Sequence, residues 1–327
     1  MTYKQLGQFR VSPLALGCMG MSFGYGEMHE KKEMIKFIHK AFELGINFFD
    51  TAEGYGAYNE ELLGEAVKPF KDKVVVASKF GIYQGKGGSW DLNLDSSPKR
   101  IRQALEGSLK RLKVECLDLY YQHRVDPQVP IEEVANTMQE LIKEGKIKAW
   151  GMSEAGLPSL EKAQAICPLT ALQSEYSLWC RAPEKEILGF CETNNITFVG
   201  FSPLGKGFFG GKIAKNATFD KEDFRSVVPK FSPENLTKNY ALVEVLQDTA
   251  KAKNATPAQI ALSWILHMQR AVIPLFDTTK EERLLENIGA LGVSWQTGEL
   301  ETFKQELEKI AIVGERYPTN LNDKVGK

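Results

Sequence analysis

Short apolar runs rich in β-branched and aromatic residues alternate with longer amphipathic stretches along most of the chain. The pattern predicts strands at 14–18, 48–50, 74–78, 117–122, 147–151, 171–174, 197–201 and 271–275. Between the first two, the stretch 32–44 sets Ile35, Ile38, Phe42 and Leu44 near one helical face. Ser97-Pro98, Ser232-Pro233 and Thr256-Pro257 each place a capping hydroxyl before a proline suited to the first helical turn. Gly45, Gly64 and Gly145 stand where helices should end before the next strand. Eight strand–helix units predict an α/β fold, the closed (β/α)8 TIM barrel, with helices outside and no edge strand. An open doubly wound sheet normally carries Gly-x-Gly-x-x-Gly after its first strand. The glycines of Leu16-Gly17-Cys18-Met19-Gly20-Met21-Ser22-Phe23-Gly24 are spaced differently and open no helix. The barrel is the better reading.

Three segments fall outside the eight units. Residues 3–11, turning at Gly7-Gln8, read as an N-terminal β-hairpin that plugs the bottom of the barrel. A long βα excursion runs from about 205 to 255, and a loop of that length on the catalytic face usually covers a ligand. A last helix is predicted at about 297–312. All 327 residues fit one barrel domain with insertions.

Composition narrows the class. Apolar residues make up 43% and charged residues 25%, the balance of a water-soluble protein. A net charge of −1 gives no reason to expect nucleic acid or an anionic membrane as partner. No apolar run is long enough to span a bilayer, and the start Met1-Thr2-Tyr3-Lys4-Gln5 is not a secretory signal. The five cysteines are scattered without a Cys-x-x-Cys pair, which favours reduced thiols in a cytoplasm over a disulfide framework. The four histidines show no metal-ligand spacing, so no metal is expected.

Chemistry enters at the strand ends. Asp50, Lys79 and His123 each follow an apolar run, and Tyr55 lies in the turn beyond Asp50. In a parallel barrel that edge gathers the reacting groups. Taken singly, each has a structural reading: a cap, a solvated strand end, a core histidine, a loop aromatic. Their conjunction on three successive strands reverses that. A free phenol of pKa about 10 is a weak acid at neutral pH. An ammonium about 4 Å away stabilises the phenolate by on the order of 4 kcal/mol at an effective dielectric of ~20, roughly three pKa units. Asp50 would keep Lys79 charged, and His123 could orient a carbonyl oxygen. Such a device suits reversible carbonyl reduction, with hydride from a nicotinamide and the proton from Tyr55.

Phe49-Asp50-Thr51-Ala52-Glu53-Gly54-Tyr55-Gly56, Ala77-Ser78-Lys79-Phe80-Gly81 and Asp118-Leu119-Tyr120-Tyr121-Gln122-His123 resemble the aldo-keto reductases, in order, over about residues 6 to 292. The resemblance implies a barrel, NADPH as the usual hydride donor, no metal, and a catalytic tetrad of Asp50, Tyr55, Lys79 and His123. By the same resemblance Ser153 and Glu154, with Gln173 one strand later, would hold the nicotinamide carboxamide. Glu154 stands where asparagine is common. Phe201 would stack on the nicotinamide, and Ser202, Pro203, Leu204, Gly205, Lys206 and Gly207 would follow the pyrophosphate. Thr278-Thr279-Lys280-Glu281-Glu282-Arg283 would open a helix with a Thr278–Glu281 capping box. Lys280 and Arg283 would grip the 2′-phosphate, and Glu286 and Asn287 would meet the adenine. Phe276-Asp277 replaces the family's common proline and glycine, and its carboxylate should weaken NADPH preference enough to admit NADH.

The expected partner is a small carbonyl compound. Phe23, Tyr25, Trp90, Arg124, Trp179, Phe208 and Phe209 are the expected pocket walls and suit an aromatic or medium-sized apolar aldehyde or ketone. Arg124 either attracts a carboxylate or pairs with Asp126. Two other functions compete: an NADPH-binding regulatory subunit with weak or vestigial reductase activity, and a Schiff-base lyase built on Lys79. The second needs an uncharged lysine, which Asp50 opposes. Nothing in the sequence fixes the oligomeric state.

Overall fold

A computed structural model describes residues 2–25, 28–83, 93–268 and 271–327. Its centre is a closed parallel barrel. The barrel strands are β1 (Ala15–Gly17), β2 (Phe48–Asp50), β3 (Val75–Phe80), β4 (Leu117–Gln122), β5 (Ile147–Ser153), β6 (Ala171–Glu175), β7 (Thr197–Phe201) and β8 (Val272–Asp277). Helices α1 (Lys31–Glu43), α2 (Ala57–Val67), α3 (Pro98–Leu112), α4 (Ile131–Lys143), α5 (Leu157–Ile166) and α6 (Ile187–Thr193) lie between successive strands from β1 to β7. The strand order is sequential and β8 pairs with β1, so the sheet has no free edge.

Two apolar layers hold this arrangement. Alternate strand residues, among them Phe48, Val75, Ala77, Leu119, Tyr121, Val199 and Ile273, point into the barrel. The other strand faces pack against the helices in a larger core. The predicted hairpin forms from Lys4–Leu6 and Phe9–Val11, and its Leu6 and Val11 are fully buried in the inner layer. It closes the bottom of the barrel.

Helix punctuation follows local chemistry. Ser97, Ser232 and Thr256 each accept a hydrogen bond from the backbone N–H three residues on, at 3.4, 3.3 and 3.3 Å. Gly45 and Gly145 take the left-handed backbone that ends α1 and α4. Gly64 differs from expectation. It is buried inside α2, and a Cβ there would lie 2.6 Å from the backbone of Leu112 in α3. Its smallness sets a helix–helix contact, not a helix end. The buried stripe of α1 is Met34, Phe37, Ile38 and Ala41, with Ile35, Phe42 and Leu44 at its margins.

Several strands run further than their apolar runs. β3 ends at Phe80 and β5 at Ser153, so Lys79 and Ser153 lie within strands. A polar side chain facing the inside of a barrel end continues the sheet while breaking the apolar pattern. The excursion after β7 is largely ordered: single turns at Gly205–Gly210, Phe224–Val227 and Pro229–Phe231 precede α7 (Pro233–Asn239) and α8 (Ala241–Ala252). Then come α9 (Pro257–Met268), α10 (Glu281–Gly289), α11 (Glu299–Glu308) and α12 (Thr319–Asn322). α10 begins at Glu281 without a side-chain cap, and Thr278 Oγ1 instead accepts from the Lys280 N–H at 3.3 Å. The expected Thr278–Glu281 capping box does not form, because the local turn takes the threonine hydroxyl. No helix among the described residues is long and apolar enough to cross a membrane.

Candidate active site

The C-terminal ends of the strands surround a cavity of about 1010 Å³. β2 delivers Asp50 as its last residue, and the turn Glu53–Tyr55 brings Tyr55 back over the barrel. Glu53 anchors that turn, accepting from Arg100 at 2.7 Å and from the Gly81 N–H at 3.3 Å. β3 supplies Lys79, and His123 follows β4 with its N–H bonded to the Phe80 carbonyl at 2.9 Å. Asp50, Tyr55 and His123 line the cavity, and Lys79 lies fully buried beneath them.

Lys79 Nζ donates to the Asp50 carboxylate, to the Thr51 carbonyl at 2.8 Å and to the Tyr55 hydroxyl at 3.2 Å. Its three donors are thereby used. Gln173 Nε2 donates to the other Asp50 oxygen at 2.8 Å. Tyr55 and His123 meet edge to face, ring centroids 5.7 Å apart, and Phe23 stacks at 6.0 Å from Tyr55.

Burial pushes the Lys79 ammonium down, but Asp50 and Tyr55 lift it above its ordinary value. It stays charged. Burial raises the Asp50 carboxyl, opposed by Lys79 and Gln173. Tyr55 departs from expectation: burial carries its pKa above the ordinary phenol value, against the pull of Lys79 and Arg124. Desolvation and the Asp50 charge, neither of them visible in the spacing of the residues, outweigh the ammonium. Burial, with Lys79 and Arg124 adding to it, pushes His123 well below its usual range, so the ring is neutral near pH 7. The site therefore holds a protonated phenol, a charged lysine and a neutral imidazole.

Residues expected to meet a dinucleotide come together on the same cavity wall. Ser153, Gln173, Phe201, Ser202, Pro203, Leu204, Lys206, Gly207, Thr278, Thr279, Lys280, Arg283, Glu286 and Asn287 all line it. Gly205 is buried and does not line it. Left-handed backbone at Ser202, Lys206 and Gly207 curls this segment along the wall. Lys280 and Arg283 have no carboxylate partner among the described residues. Asp277 flanks Gly17 in register, opposite Asp50 on the other side. Its carboxylate accepts the Gly20 N–H at 2.9 Å, and burial lifts its pKa to about 7.

Glu154 does not face the cavity. Its carboxylate takes a bidentate pair from Arg316 NH2, both contacts at 2.9 Å, and accepts the Glu175 N–H at 2.7 Å. Arg316 Nε reaches Glu175 at 3.0 Å, and Lys206 Nζ holds the other Glu175 oxygen at 3.0 Å. The carboxylate that replaces asparagine thus clamps the chain's tail. Tyr317, Leu321 and Val325 from that tail complete the cavity. Sequence reasoning missed them, since residues beyond the last periodic helix carry no pattern pointing to the barrel.

Among the expected pocket walls, Phe23, Tyr25 and Arg124 line the cavity. Trp179 does not: it is buried in an aromatic cluster with Phe208, Phe209 and Phe231. Phe208 and Phe209 are likewise core, because the excursion needs its own apolar anchor. Trp90 lies outside the described residues. Arg124 NH1 donates to the His123 carbonyl at 2.6 Å and the Ser153 hydroxyl at 3.2 Å, not to Asp126. Asp126 accepts from the Ser96 and Gln128 N–H groups.

Known proteins share this chain's fold. The chain is 43% identical over 317 residues to "Probable aldo-keto reductase 1" of Glycine max, covering 96% of this chain and 90% of that protein. It superposes on the glycerol dehydrogenase AKR11B4 from Gluconobacter oxydans with a TM-score of 0.87 at 29% identity, over 96% and 97% of the two chains. An aldo/keto reductase from Klebsiella pneumoniae, solved in complex with NADP and acetate, matches at a TM-score of 0.73 and 22% identity, covering 97% and 98%. Residues 13–307 match the Aldo/keto reductase family, and the chain belongs to it.

Proposed function

We propose that this protein reduces an aldehyde or ketone to the alcohol with NADPH, and catalyses the reverse oxidation. The observation that carries the reading is the Tyr55 hydroxyl, 3.2 Å from a charged Lys79 on the cavity that Lys280 and Arg283 also line. A bound dihydronicotinamide would supply the hydride. Tyr55, held protonated by its burial, gives its proton to the carbonyl oxygen, and Lys79 stabilises the phenolate left behind. His123, neutral, orients the same oxygen by hydrogen bonding. Asp50 keeps Lys79 charged in a site where burial alone would neutralise it.

The donor set fits the cofactor. Ser153 and Gln173 offer polar groups where a carboxamide would sit, and Phe201 presents a ring beside them. Lys280 and Arg283, a point charge and a planar fork with no acidic partner among the described residues, suit a 2′-phosphate. Asp277 works against that preference, so NADPH should bind more tightly than NADH by a narrow margin. A charged, Asp50-bound Lys79 also argues against Schiff-base chemistry.

The test is NADPH oxidation with a panel of aldehydes and ketones, for the unaltered protein and Tyr55→Phe. Removing the proton donor should lower kcat by about 10²- to 10⁴-fold while the NADPH Kd stays put. Undiminished turnover by Tyr55→Phe would overturn the assignment.

A further inference from the structure

Among the described residues, the acids and bases around the reacting end of the cavity are matched apart from Asp277, which accepts only the Gly20 N–H, and one cation. Asp50 is taken by Lys79. Glu175 is shared between Lys206 and Arg316, and Glu154 is taken by Arg316, leaving that four-residue cluster without net charge. His123 is neutral. Arg124 remains. Its guanidinium is half-buried, lines the cavity next to His123, and has no carboxylate within ion-pair distance among the described residues. Its recorded partners are a backbone carbonyl and a hydroxyl, both reached through NH1. Nε and NH2 keep their donors, and a guanidinium has five.

A partly desolvated cation without a counter-ion is unfavourable, and an anion that enters beside it recovers that loss. The charge sits at the end of β4, with the residues that handle the carbonyl, and its field acts on Tyr55 and Tyr317. Lys280 and Arg283, the cations suited to a cofactor phosphate, belong instead to the segment after β8.

We infer that Arg124 is the anchor for a carboxylate on the substrate, so that the preferred carbonyl compounds are oxo acids. The inference rests on the reductase reading and narrows it. The unspent edge of the guanidinium matches the two oxygens of a carboxylate. Phe23, Tyr25 and Tyr317 wall the same space and suit an aromatic or apolar body between the two functional groups.

The experiment compares para-carboxybenzaldehyde with its methyl ester as substrates for NADPH oxidation, using the unaltered protein, Arg124→Ala and Arg124→Gln. The unaltered protein should favour the acid by at least ~10-fold in kcat/KM, through KM, and that preference should collapse in both variants. A titration of NADPH fluorescence accompanies each variant, because a residue that merely held Ser153 for the cofactor would change the NADPH Kd and leave the acid-to-ester ratio alone. An unchanged ratio, or no preference to begin with, overturns the inference. If the unaltered protein reduces neither these two aldehydes nor any member of the carbonyl panel, the reductase reading fails. Calorimetric binding of benzoate then reads the anchor by itself: tenfold or greater weakening in Arg124→Ala upholds it, and equal affinity removes it.

Discussion

Asp277 shows how one side chain can link the cofactor groove to pH. The register places it and Asp50 on either side of Gly17, so two carboxylates face one narrow strand. Burial raises its pKa from 3.8 to about 7; the Gly20 N–H opposes, Asp50 adds to the rise, and Lys79 subtracts. Because the folded value lies above the unfolded one, the native chain holds an extra proton between about pH 4 and pH 7. Its contribution to stability therefore declines as pH rises through that window. With NADPH bound as proposed, the same ionisation would put a negative charge beside the dinucleotide phosphates. We expect the Kd for NADH, whose pyrophosphate stays ionised throughout, to weaken from about pH 6 to about pH 8, and Asp277→Asn to flatten the profile. Fluorescence titration across that range checks it; a parallel pH dependence in the variant would remove Asp277 from the groove. The cluster was legible at this scale because Asp50, Lys79 and His123 each follow an apolar run at a strand end, with Tyr55 in the turn just beyond Asp50. The upward shift of Tyr55 was not, since desolvation depends on what the fold stacks above the ring.

Elements carry the next level of constraint. α2 and α3 approach closely at Gly64, where a methyl group would collide with the Leu112 backbone. Gly64→Ala should destabilise the protein by about 1–3 kcal/mol, because backbone cannot rotate away as a side chain would. Denaturant unfolding measures this, and unaltered stability would mean the helices shift freely. The tail is fastened differently, by ions. Arg316 ties it to the ends of β5 and β6, and Gly326 N–H and Lys327 carbonyl bond Glu154 and Gly156 at 2.8 and 2.7 Å. Arg316→Ala leaves Glu154 and part of Glu175 buried without their cation. We expect KM for carbonyl substrates to rise at least ~10-fold through displaced Tyr317 and Leu321, with the NADPH Kd changed far less, and partial recovery in Arg316→Lys. Equal loss of substrate and cofactor binding would mark the clamp as general scaffolding. Strand existence and order were readable from period and turn residues. The extents were not, because β3 and β5 run on through Lys79 and Ser153, whose polarity reads as loop. Glu154 was read through its neighbours in the motif, and its partner lies 162 residues away.

For the whole molecule, the cavity joins pieces of every barrel strand end with the excursion and the tail, so filling it should brace the entire fold. Ligand that binds only the native state adds about 2.7 kcal/mol at a hundredfold excess over Kd. NADPH should therefore raise Tm by several degrees, NADH by less at equal concentration, and differential scanning calorimetry reads both. Identical shifts would deny Lys280 and Arg283 a 2′-phosphate contact. The barrel as a whole was visible in the alternation of runs, and so was its hairpin plug. Closure of the mouth was not, because it depends on long-range ion pairs that leave no periodic trace.

The route of the final residues has a practical consequence. Lys327 comes to rest against Gly156, at the rim of the reacting end, whereas the opening hairpin lies at the far pole of the barrel. An affinity handle appended after Lys327 would emerge beside the entrance and tug on Tyr317, Leu321 and Val325. One placed ahead of the hairpin would stand clear, so assays of substrate range should begin from that version.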